Sequence, residues 1–173
     1  MGWIAPPAER VDEPFTGEER AMLAGFLDWN RATLLVKCAG LTGEQLADRA
    51  LPPANLSLLG LVRHLTDVER TWFRRRFGGQ ADLPPVYYRD DAPDAAFDDI
   101  APATAERDLD RLVAEQQAAR VAVAGLPLDH IFVSPRWGEM SLRWAYTHMN
   151  GEYSRHCGHA DLLRQRIDGA TGV

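Results

Sequence analysis

Between Trp144 and Gly169 the chain reads WAYTHMNGEYSRHCGHADLLRQRIDG, and His148, Glu152, His156 and His159 stand within twelve residues of one another. They comprise three of the five histidines of the protein and one carboxylate, at steps of three and four. Imidazole and carboxylate are donors for divalent cations. At about 100° per residue, with His148 at 0°, Glu152 falls near 40°, His156 near 80° and His159 near 20°. The apolar residues Leu142, Ala145, Met149, Ala160, Leu163 and Ile167 centre between roughly 60° and 120° on the same wheel. Glu152 and His156 therefore point inward, while His148 and His159 take the shoulder. A carboxylate buried beside an imidazole is costly unless something compensates both, and a divalent cation does so.

An earlier segment offers the complement. His64 lies one turn from Leu61 and Val68, at the edge of an inward stripe. His64, Glu152 and His156 then bring three donors to one point. Three protein ligands with an open position are the pattern of a catalytic zinc site rather than a structural one, and helix-bundle interiors host such sites. The same donors suit nickel, iron or manganese. The competing reading is a set of hydrogen-bonded core and shoulder side chains, and spacing alone leaves both open. Possible helpers are Asn30, which interrupts the stripe of its helix, His159, Arg155 and Arg143, and Asp67, one turn from His64. Their competing reading is ordinary surface or boundary polarity. The run Arg74-Arg75-Arg76 could attract anions, but cations at a helix C-terminus also favour the macrodipole, and that explanation is preferred. Cys157 is adjacent to His156, so it points about 100° away from that side chain. The aspartates at 90, 91, 94, 98 and 99 lack the spacing of a calcium loop and read as a solvated connection.

Four long amphipathic helices must position these groups. Residues 1–15, with three prolines, read as an extended arm. Thr16 to Glu19 forms a capping-box pattern ahead of Met22, Leu23, Phe26, Leu27, Asn30 and Leu34. That helix should stop near Gly40, with Thr42 capping a short turn. Ser57 can cap the second long helix (Leu58, Leu61, Leu65, Val68, Trp72), which ends at Gly78-Gly79. Residues 80–103 hold four prolines and six aspartates and read as a long crossover. Thr104 starts the third helix, with Ala105, Leu109, Leu112, Val113, Gln116 and Val123 inward. After an irregular stretch over 126–140, the fourth runs from Ser141 to Asp168. No strand alternation is evident. The expectation is an all-α four-helix bundle forming one domain over 1–173, with a long crossover between helices two and three.

Composition excludes several classes. Hydrophobic residues are 46%, charged residues 25% and the net charge is -6, so no basic footprint invites nucleic acid. No apolar run approaches the roughly 20 residues of a membrane span. The N-terminus lacks an apolar targeting core, and Pro6 breaks a myristoylation pattern. Cys38 and Cys157, one in each half, make no disulfide framework. A cytoplasmic protein acting on a small molecule, with exposed faces that could pair into a homodimer, is expected.

LSLLGLVRHLTDVERTWF (56–73), SLRWAYTHMNGEYSRHCGHADLLRQRIDG (141–169) and AGLTGEQL (39–46) together resemble the DinB-like superfamily of bacillithiol- and mycothiol-dependent S-transferases, in particular an actinobacterial branch. The resemblance covers nearly the whole chain. It implies a divalent metal held by a helix-two His and two residues four apart on the last helix, which fall on His64, Glu152 and His156. Using Glu then His is similar to the mycothiol-dependent maleylpyruvate isomerase, and His159 stands where many relatives have Gln. The resemblance implies an S-transferase or isomerase in which a metal-bound thiolate of mycothiol attacks a small electrophile. Hydrolysis at the same site, or a non-catalytic bundle that binds metal or a small molecule, are the alternatives.

Overall fold

The computed structural model describes residues 2–172. The chain is mostly helical: α1 (Glu19–Cys38), α2 (Gly43–Ala47), α3 (Leu58–Glu69) continuing as a π-helical segment (Arg70–Phe77), α4 (Ala95–Asp98), α5 (Ala105–Val123) and α6 (Leu142–Asp168). The expected caps form where a hydroxyl precedes an apolar stripe. Ser57 accepts from Gly60 N–H at 3.0 Å, Ser141 accepts from Trp144 N–H at 3.2 Å, and Thr42 makes a reciprocal box with Gln45. The Thr16 box does not form. Residues 15–17 bend, and α1 starts at Glu19 without a side-chain cap. The arm is tied down instead by Ala5, which exchanges backbone bonds with Gly40 and Leu41.

The region expected to lack strands contains a small antiparallel hairpin, β1 (Ile131–Ser134) and β2 (Gly138–Ser141). Each strand has four residues, and only Ser134 and Met140 are buried. Its alternation is therefore too short and too exposed to give a pattern in the sequence. It hands the chain to α6, because Leu142 N–H and Arg143 N–H donate to the carbonyls of His130 and Leu128. Val113, Met22 and Phe26, expected inward, are exposed.

α1 runs along α6, α5 packs on α3 and its π extension, and α3 crosses α6. Leu27, Leu34, Leu61, Leu65, Leu112, Met149, Tyr153 and Leu163 are fully buried between them. Through this core runs a polar tie. Arg31 of α1 grips Glu69 of α3 through two bonds of 2.7 and 2.6 Å. Tyr153 of α6 donates to Glu69 at 2.9 Å and accepts from Gln116 of α5 at 3.1 Å. All four long helices thus meet in one network, one residue from Glu152.

The crossover is not an idle loop. The Asp67 carboxylate accepts the backbone N–H groups of Val86, Tyr87 and Tyr88, and Phe97 of α4 lies over Gly60, where an added Cβ would sit 2.8 Å from the Phe97 ring. These contacts place the crossover against α3, beside His64.

Candidate metal centre

His64 and Glu152 face one another across the α3–α6 crossing. Ser57 and Ser141 fix where the two helices start, and the Glu69–Tyr153 bond fixes their register. His64 Nε2 stands 3.3 Å and His156 Nε2 3.5 Å from the same oxygen, Glu152 Oε1. One ligand atom from each residue lies within 4.8 Å of the others. The His64 ring also lies edge-on to that of His156, with centroids 4.8 Å apart, and is backed by Phe97 at 5.4 Å. The three side chains are 28%, 18% and 11% exposed, so the cluster opens on one side while resting on the core.

The donor set fits a divalent cation. Donors around a tetrahedral ion with bonds of about 2.1 Å lie about 3.4 Å apart, which matches the spacing of each imidazole nitrogen from Glu152 Oε1. Hydrogen bonds from His156 and His64 hold the Glu152 carboxyl well below the usual carboxylate range, against the opposing effect of burial. A carboxylate ionised at neutral pH between two imidazoles suits a cation.

The remaining sequence candidates separate cleanly. His159 Nδ1 meets His156 Nδ1 at 3.3 Å, so it orients a ligand rather than joining the three-donor group. His148 stacks on Trp144, 4.9 Å between centroids, and leans on Trp72 at 4.6 Å. Burial lowers its affinity for a proton. Asn30 is buried, but its amide bonds Asn150 and Ser154 of α6. Arg155 is exposed, and Arg143 pairs with Glu19 at the surface. Asp67, offered as an orienter of His64, instead holds the crossover, because three amides outcompete one imidazole for its lone pairs. Cys157 turns away and donates to the Asn30 carbonyl. Burial pushes both cysteine thiols up to about 12.

A family model described as mycothiol-S-transferase matches residues 22–169. The chain belongs to this family, within the DinB-like superfamily. No curated protein and no solved structure matches it. The match takes in all three members of the His/Glu/His cluster of this mycothiol S-transferase family member. No helix among the described residues is long and apolar enough to cross a membrane.

Phe97 and Trp72 border the site, and neither is expected there from the sequence: Trp72 belongs to a core stripe, and Phe97 sits in a segment without period. Together with His64 and Tyr88 they line a cavity of about 500 Å³, large enough for a small molecule.

Proposed function

We propose that this protein is a divalent-metal-dependent S-transferase or isomerase that joins a small thiol, mycothiol, to a small electrophile. The observation that carries the reading is the convergence of His64, Glu152 and His156 at ion-sized spacing in a mycothiol-S-transferase family member. These three residues would hold the ion, zinc being the first expectation and nickel, iron or manganese matching the same donors. A divalent cation there supplies Lewis acidity, which favours the thiolate of a thiol at neutral pH. His159 holds the His156 ring in place, and the ionised Glu152 would supply the negative charge of the donor set. The reacting thiol must come from outside the chain, since both cysteines are buried and poorly acidic. The electrophile would enter the cavity beside His64. The same reading takes the chain as one domain, a four-helix bundle of DinB type, acting in the cytoplasm on a small molecule and not on nucleic acid, with homodimerisation through exposed helix faces.

Elemental analysis of protein purified without chelator or affinity metal tests the metal. One ion per chain is expected, lost in His156→Ala and retained in Cys157→Ala. Equal metal in both variants and the wild type would remove the ligand assignment. Turnover of a fluorogenic electrophile with and without mycothiol then tests the transfer. Turnover that proceeds equally without the thiol points to hydrolysis.

A further inference from the structure

The cavity beside His64 carries a second set of groups that the metal does not use. Arg75 and Arg76 both line it, along with Trp72 and Tyr88. Their neighbour Arg74 is occupied by Glu115 and Gln80, and Arg70 is held by Glu115 and the Pro84 carbonyl. Neither Arg75 nor Arg76 has a carboxylate partner among the described residues. Arg75 makes one long bond, 3.4 Å, to the Ala81 carbonyl. The Arg76 guanidinium lies 3.9 Å from the centre of the Trp72 ring and 5.5 Å from that of Trp137. Its Nη1 is buried and has no hydrogen-bond partner.

A helix-terminal dipole explains why cations occur near Gly78. It does not explain why two of them line the same hollow as a metal ligand, one with an unsatisfied buried N–H. Stacking on Trp72 orients the guanidinium without using its N–H donors, so the donors not buried with Nη1 remain to meet an anion. Burial and the adjacent Arg75 both work against the Arg76 charge, and an anion would relieve both. The carboxylates on the wall do not serve: Asp67 is occupied by three amides, and Asp94 is exposed.

We infer that Arg75 and Arg76 form an anion-binding subsite that takes the carboxylate of the small electrophile and places its reactive carbon toward His64. This rests on the transferase reading above. The thiol's reacting group belongs at the metal, so the cation pair is assigned to the other reactant.

Binding to metal-free protein, prepared with a chelator, separates this subsite from the metal. Succinate should quench tryptophan fluorescence saturably, since Trp72 and Trp137 flank Arg76, and succinamide should not. Arg76→Gln should weaken succinate binding at least about tenfold, the scale of one charge-assisted hydrogen bond, and Arg76→Lys should recover part of it. Arg75→Gln, at a less constrained position, guards against misfolding and should weaken binding several-fold. His64→Ala should keep succinate binding while losing metal. Equal quenching by succinate and succinamide, tighter binding of inorganic phosphate than of succinate, or wild-type affinity in both Gln variants overturns the subsite. Succinate binding by a protein that never retains metal keeps the subsite and overturns the metal reading instead.

Discussion

The hydrogen bond of His159 goes to Nδ1 of His156, 3.3 Å away, while Nε2 of that ring faces Glu152. One ring nitrogen is thus occupied by a neighbour and the other is presented to the centre, which is how a ligand imidazole is held in one tautomer and one orientation. His159→Ala should therefore lower metal affinity by about 10–100-fold without abolishing it, measured by competition with a chromophoric chelator. An affinity equal to wild type would reduce His159 to a shoulder residue. The ligands themselves were readable because Glu152 and His156 are four apart on a helix, and one face collects such pairs. Arg76 was legible only as one of three cations that could attract an anion or merely suit a helix end. Its role depends on Trp72 beneath it and on the crossover opposite, and neither contact leaves a trace in local spacing.

Between elements, the Arg31–Glu69–Tyr153–Gln116 tie decides how α3 meets α6. Glu69 is fully buried, with Arg31 only 4% exposed, so removing one partner strands a charge in the core. Glu69→Ala should cost about 3–5 kcal/mol of stability, read from the urea midpoint. The double replacement Arg31→Met with Glu69→Leu should recover most of that loss, because two apolar side chains leave no orphan charge. Loss in the double variant as large as in the single one would mean that the ion pair itself, rather than its balance, holds the helices. Amphipathic templates treat charge as solvent-facing, which is why Arg31 and Glu69 were not legible as core while the leucines around them were. The boundaries set by Ser57, Thr42 and Ser141 were legible because a cap is local chemistry. Thr16 makes no cap because the backbone bends at residues 15–17, with Gly17 at positive φ, and the helix begins only at Glu19. The hairpin failed because four-residue strands have no period to detect.

Over the whole molecule, the crossover joins α3 to α5 and at the same time walls the cavity. Asp67 anchors it through three backbone amides. Asp67→Ala should free this stretch while leaving the helices formed. Losing bonds worth at least about 1.5 kcal/mol raises the opened population about tenfold. Limited proteolysis should then cut within 80–94 about tenfold faster, with unchanged helical circular dichroism. Unaltered cleavage would mean that Phe97 over Gly60 anchors the segment unaided. The crossover contributes Pro85, Tyr88, Pro93 and Phe97 to the cavity, yet none of the three metal-ligand side chains, and only Phe97 leans on a ligand ring. Such a molecule divides its labour: rods hold the reactive machinery, and a replaceable strap chooses what reaches it. Selection could redraw that strap, residue by residue, and hand the same machinery a new chemical diet.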